Sequence, residues 1–217
     1  MGSHGNKLHN EAAVISEQAA VEGLYQSMVE MGKAGSNPVL EILPEPDRFK
    51  QGLKYPAGNL NFSGLGLRAY YHNHAKPYIR ENEHGHFHIF VTDDPSQDAK
   101  LWQHLAALSV DSMGQARSWF CVNNWVTGGR WLPAEGAKSD LLNLFQQDTK
   151  QLIPVERWIF YMLAVYFSRL LDLLVARDKM LESLTATNSP DKLFNDRSIY
   201  DLAKMPVDLL ADLSTNR

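Results

Sequence analysis

Cysteine is almost missing from this chain: Cys121 is the only one in 217 residues. A single thiol excludes an internal disulfide framework and a thiolate-rich structural zinc site, and it fits a reducing cytoplasm, where the protein is expected to reside. No charged neighbour in sequence would lower its pKa, so Cys121 is expected as a small buried residue and not a nucleophile. An excess of positive charge is also missing. With 21 Lys and Arg against 25 Asp and Glu, the net charge is −4 and no basic run occurs, which argues against nucleic acid as a partner. Long apolar runs are absent as well. The most apolar segment, Trp158 to Phe167, covers ten residues before Ser168-Arg169 and Asp172 break it. A membrane span needs ~20, so this segment is expected to be a buried helix, with no membrane partner. Near the start, Glu11, Glu17 and Glu22 interrupt any apolar core, so a secretory leader is not expected.

What is present is ordinary in bulk: 44% hydrophobic and 21% charged residues. That is enough apolar material for one buried domain spanning 1–217, with 1–9 expected to be disordered. Asn10 is placed to cap a helix over Glu11–Lys33, which Gly35-Ser36-Asn37-Pro38 would end. Residues 34–64, rich in proline and glycine, predict a long irregular loop. A sheet region is expected over 65–132. Alternation predicts one strand ending at His72 to His74 and another running from His84 to Val91. Asp94-Pro95 predicts a helix to Val110, and a second hairpin would join Ala116–Val126 to Arg130–Leu132 through Thr127-Gly128-Gly129. Residues 140–213 read as helical, with one long helix from Pro154 to Ser183 and one or two short ones between Ser198 and Leu213. The resulting class is α+β: an antiparallel sheet built from two hairpins, with helices packed mainly on one face.

Function concentrates in the histidines. Five of eight lie within seventeen residues, at positions 72, 74, 84, 86 and 88. Alternate residues of a strand share a face, so each set projects its imidazoles together. If both apolar strand faces enter one core, the register must pair His74 with His84, His72 with His86 and Tyr70 with His88. Neutral imidazole is the commonest side-chain ligand for transition metals, and adjacent positions on two paired strands lie close enough for several rings to reach one ion.

The favoured metal ligands are therefore His72, His74, His84 and His86. His88 is left as a proton shuttle or as a ligand to a second metal. A nitrogen-rich set suits iron, zinc, copper or nickel, and excludes calcium and magnesium. Glu81 and Glu83 stand where either could add a carboxylate. Tyr70 and Arg68 share the histidine face and are placed to orient a small-molecule substrate, with Tyr70 and His88 as the candidate catalytic residues. Cys121, Asn123 and Trp125 would join the pocket only if their strand neighbours the first pair. His104, in the expected helix after Pro95, reads as an ordinary polar residue. The chemistry so implied is that of a metal-dependent small-molecule oxidoreductase. A metal-dependent hydrolase and a non-catalytic metal-binding module, monomeric or homo-oligomeric, are the alternatives.

Two resemblances add to this reading. His84-Gly85-His86-Phe87-His88-Ile89-Phe90 resembles the alternating pattern of the histidine-triad nucleotidyl hydrolases and transferases. That resemblance implies a nucleophilic role for the middle histidine, His86. The Asn and Gly-Gln elements those proteins carry upstream are replaced here by His72-Asn73-His74-Ala75-Lys76-Pro77. Over most of its length the chain resembles an uncharacterised family of bacterial proteins. The resemblance rests on Tyr55-Pro56-Ala57-Gly58, Tyr71 to His74, Glu83 to His88, and Asn124-Trp125-Val126-Thr127. It implies that the histidine segments belong together and implies no reaction.

Overall fold

In the computed structural model, which describes residues 15–45, 48–62, 64–74, 80, 82–94, 102–185 and 189–214, the first helix begins at a serine. Ser16 Oγ accepts from the Ala19 amide at 3.2 Å and starts α1 (Glu17–Lys33). An acidic first turn and Lys33 in the last turn suit the helix dipole. The expected cap, Asn10, lies outside the described residues, as do residues 1–9. The helix buries Ala20, Leu24, Ser27 and Met31 on one stripe and stops before Gly35, whose φ is 68°.

The expected loop over 34–64 holds a strand. Lys54–Asn61 forms β1, at the edge of a six-stranded antiparallel sheet ordered β1-β2-β3-β4-β5-β6. An edge tolerates Pro56, which has no amide to donate, and the irregularity between Tyr55 and Leu60. Next come β2 (Leu67–His72), β3 (Gly85–Val91), β4 (Gln103–Val110), β5 (Ala116–Val122) and β6 (Asp201–Pro206).

Several expectations are overturned here. The predicted helix to Val110 is β4 over its described part, and residues 95–101 lie outside the description. Leu101, Trp102, Leu105 and Leu108 imitate helical spacing because β4 is buried along its whole length, and a strand covered on both faces loses alternation. The second hairpin therefore joins β4 to β5. Its turn is held by the Asp111 carboxylate, which accepts from Met113 and Gln115 amides at 2.9 Å each. Beyond β5 the chain forms the short helix α2 (Asn124–Thr127), and Arg130–Leu132 is not a strand. Gly128 and Gly129 place the Trp102 carbonyl to accept from the Arg130 amide at 3.1 Å. A Cβ at Gly129 would fall 2.3 Å from that oxygen. The helical C-terminal region is likewise interrupted by β6, which adds an edge to β5.

After α3 (Ala134–Leu144), the long apolar helix is two: α4 (Pro154–Val165) and α5 (Phe167–Thr185), bent by 73° at Tyr166. No single helix among the described residues is long and apolar enough to cross a membrane; only this bent pair has the length and composition. Both helices enter a core with α1, α3 and the sheet face that bears Leu67, Ala69, Tyr71, Phe87, Ile89 and Val91. The Trp158 ring lies 5.7 Å from Phe87, and Tyr161 seats on Gly23 of α1, where a Cβ would fall 2.3 Å from Tyr161 Cζ. Short helices α6 (Pro190–Phe194) and α7 (Leu209–Ser214) flank β6. The molecule is thus α+β, with seven helices and six antiparallel strands among the described residues.

Candidate functional site

The opposite face of the sheet carries the histidines. β2 pairs with β3 so that Tyr70 lies opposite His88 and His72 opposite His86, the register that shared apolar faces demand. On the next strand the residues opposite His86 and His88 are Ser109 and Ala107, whose small side chains leave room for the rings. His74 continues from the end of β2, its ring 4.5 Å from His72 and 5.3 Å from His86. His86 and His88 stand 4.7 Å apart and are essentially inaccessible.

His84 is the member that the fold does not bring in. It precedes β3, donates its amide to Val110, and turns its ring to Tyr71 on the core side, with Nδ1 2.5 Å from the Tyr71 hydroxyl. Gly85 makes this possible. A Cβ there would lie 2.3 Å from Tyr71 Oη and 2.7 Å from the His72 carbonyl oxygen.

The residue that sequence reasoning dismissed, His104, belongs to the site. β4 bulges where it passes Ile89 and Phe90, so that His104, not Leu105, faces Phe90 and shares the side of Ala107. A bulge re-aims one side chain in this way. His104 Nε2 sits 3.0 Å from His88 Nδ1, and His88 Nε2 sits 3.1 Å from His86 Nε2. His86 Nδ1 in turn is 2.7 Å from Glu83 Oε1. The result is one hydrogen-bonded line: Glu83, His86, His88, His104. When each imidazole carries one ring proton, the carboxylate sets the direction of the line. His86 Nδ1–H donates to Glu83, His88 Nε2–H donates to His86, and His104 Nε2–H donates to His88.

Glu83 is enclosed, its side chain 0% exposed, with Arg80 Nη1 3.5 Å away. Burial alone would raise its pKa, but bonds from His86, the Arg80 charge and the Ser109 hydroxyl together hold it below the usual carboxylate value. Arg80 also lies 3.6 Å over the Phe120 ring and reaches Asp201 at 2.6 Å. Phe120, not Cys121, is the β5 residue facing the histidines, with its ring edge-on to His86 at 5.3 Å. Cys121 points into the core toward the Leu105 carbonyl, and burial pushes its thiol up to about 12. β5 neighbours β4 and β6, so the condition for Cys121, Asn123 and Trp125 to join is not met. Asn123 caps α2 and donates to the Leu193 carbonyl; Trp125 donates to Ile199. Glu81 lies outside the described residues.

Tyr70 closes the other side, its ring 5.1 Å from His88 and 5.6 Å from Phe90, with burial raising its phenol above the ordinary value. Burial lowers the pKa of His72 to about 4 and of His104 to about 3; it also lowers His74, and His88 well below its usual value. The sign for stability follows. An unfolded chain protonates these rings near pH 6.5, whereas the fold refuses the proton until the pH nears each lowered value. Stability of metal-free protein is therefore full above about pH 6.5 and is lost on acidification toward pH 3–4. His104 alone costs about 2 kcal/mol between pH 7 and 5. Thermal unfolding of metal-free protein is expected to show a melting temperature at pH 5 lower by roughly 5 °C or more. A melting temperature unchanged between those values would contradict the buried neutral rings.

Among the described residues, no three His, Cys, Asp or Glu side chains already stand in the geometry of a bound metal ion. His74 Nε2 is nevertheless buried with no hydrogen-bond partner, on the ring nearest His72 and His86.

A family model described as a domain of unknown function (DUF6969) matches residues 18–207, and the chain belongs to that family. No curated protein and no solved structure matches it. Nothing in these comparisons points to the histidine-triad hydrolases.

Proposed function

Starting from a family without a described activity, we propose that the histidine face is a transition-metal centre held by His72, His74, His86 and His88. The observation that carries this reading is the His86–His88 pair. Two imidazole nitrogens bound at ~2.0–2.1 Å to one ion lie roughly 3 Å apart, and these two Nε2 atoms are separated by 3.1 Å. Metal-binding histidines are oriented by an acceptor at their other nitrogen. Here His86 Nδ1 meets Glu83, His72 Nδ1 meets the Leu53 carbonyl at 3.2 Å, and His88 Nδ1 meets His104. With a metal in place of the His86–His88 hydrogen bond, the His88 ring proton would sit on Nδ1 and donate to His104 Nε2, so His88 Nε2 becomes a lone-pair donor without losing that partner. The orphaned His74 Nε2 is the fourth donor. Closing the set needs ring rotations at His72 and His74, which lie at and beyond the end of β2.

A metal held by neutral nitrogens with an open position supplies Lewis acidity or one-electron chemistry. The aromatic border of Tyr70, Phe90 and Trp102 favours a small-molecule oxidoreductase over a hydrolase. Elemental analysis of untagged protein, as purified and after reconstitution with iron(II), zinc, copper or nickel, tests the centre. About one equivalent is expected. His74→Ala, His86→Ala and His88→Ala should each weaken uptake at least tenfold, and His84→Ala should leave it unchanged. Less than about a tenth of an equivalent with no uptake, or normal uptake in both His86→Ala and His88→Ala, would sink this assignment. A colourless, redox-silent zinc protein would count against the oxidoreductase alone. The hydrogen-bonded line itself favours one other reading, a metal-free carboxylate–imidazole relay for acid–base chemistry. That reading gains if no metal binds.

A further inference from the structure

Among the described residues, the arginines that are at least half-buried obey one rule with one exception. Arg80, Arg130, Arg157, Arg169 and Arg177 each reach a carboxylate. Arg68 does not. Its guanidinium lies 4.4 Å over the Trp102 ring and 5.0 Å over Phe90, on the histidine face of β2. Among the described residues no hydrogen bond or ion pair satisfies its five N–H groups. Lys54 is a second cation of the same kind. Paired with His72 across β1 and β2, it holds Nζ 4.3 Å over the Tyr70 ring with no carboxylate partner among the described residues.

We infer that Arg68, assisted by Lys54, binds a small oxyanion: the carboxylate or phosphate group of the molecule handled at the histidines. A guanidinium presents a planar fork that matches two oxygens of either group, and an ammonium adds a point charge. Its seat over the Trp102 and Phe90 rings restrains the guanidinium before the anion arrives, so less freedom is lost on binding. Partial removal from water strengthens the attraction. The site borders the histidines directly. Phe90, under Arg68, lies 5.2 Å from the His104 ring, and Tyr70, under Lys54, lies 5.1 Å from His88. A molecule anchored by its anionic end on Arg68 thus extends over Tyr70 toward His88 and His72. That it is acted on there rests on the metal reading; the anion site itself does not.

Isothermal titration calorimetry on the full chain, metal-free and at low ionic strength, tests the site with two probes, benzoate and inorganic phosphate. At least one is expected to bind. Arg68→Gln should weaken it at least tenfold, Arg68→Lys less, and exposed Lys54→Gln several-fold. Tighter binding of benzoate assigns a carboxylate, and of phosphate a phosphate ester. Metal uptake by Arg68→Gln should equal that of the unaltered protein, so loss of the anion site and failure of the metal centre are read separately. Binding of neither probe, or equal binding by Arg68→Gln and Lys54→Gln, overturns the proposal.

Discussion

His86→Ala is expected to cost about 3–5 kcal/mol of stability even in metal-free protein. The reason is the Glu83 carboxylate, whose side chain is 0% exposed and whose bond to His86 Nδ1 is 2.7 Å long. Removing the imidazole leaves a buried charge supported, among the described residues, by Arg80 at 3.5 Å and the Ser109 hydroxyl. It also opens a void beside Phe120 and breaks the line to His88 and His104. Urea unfolding should show a lower midpoint at unchanged slope. The double variant Glu83→Gln/His86→Ala should recover part of the loss, because the stranded charge is gone; the two changes are then non-additive. A loss below about 1 kcal/mol for His86→Ala would mean that Glu83 is not held as the geometry indicates.

Gly85→Ala is expected to be nearly as damaging, by about 3 kcal/mol, for a steric reason. The added Cβ would lie 2.3 Å from Tyr71 Oη, 2.5 Å from Tyr71 Cζ and 2.7 Å from the His72 carbonyl oxygen. Tyr71 is inaccessible and its ring is packed at 5.2 Å against Phe87, so it cannot retreat. The backbone of β2 would have to part from β3 at the histidines. Gly58→Ala, where no atom stands within 4 Å of the new Cβ, is the matched control and should change stability by less than about 1 kcal/mol. Equal melting temperatures for the two variants would show that β3 has slack at Gly85. Within the Glu-His-Gly-His-Phe-His segment, then, the glycine is an intruder among alternating residues because Tyr71 occupies its side-chain space.

The register of β2 on β3 was legible because one face of each strand is apolar and the other is not. A one-residue slip would turn Arg68 and His72 into the helix-covered core and take Leu67 and Tyr71 out of it, so only one pairing survives. Legibility failed one strand later. β4 is buried on both faces, its apolar residues no longer alternate, and accidental spacing by three and four residues imitates a helix. The same spacing hid His104, since a helix has no neighbouring strand on which that residue could meet a partner. In the opposite direction, β1 and β6 are edge strands with many exposed residues, so their sequences resemble loop and helix ends.

By itself, the amino-acid sequence determined the class of the protein, the apolar and polar faces of β2 and β3, and the gathering of His72, His74, His86 and His88 on one side. Each of these follows from local periodicity, which depends only on the spacing of side chains along one element. Tertiary structure decided which of those histidines meet. The β4 bulge carried His104 to His88, the space taken by Tyr71 turned His84 away, and the small residues Ala107 and Ser109 made room for His86 and His88. It also placed β5 beyond β4, which put Phe120 beside His86 and left Cys121 in the core. These outcomes depend on strand order, on one extra residue in one strand and on the volume of neighbours distant in sequence. None of them leaves a periodic trace in the chain.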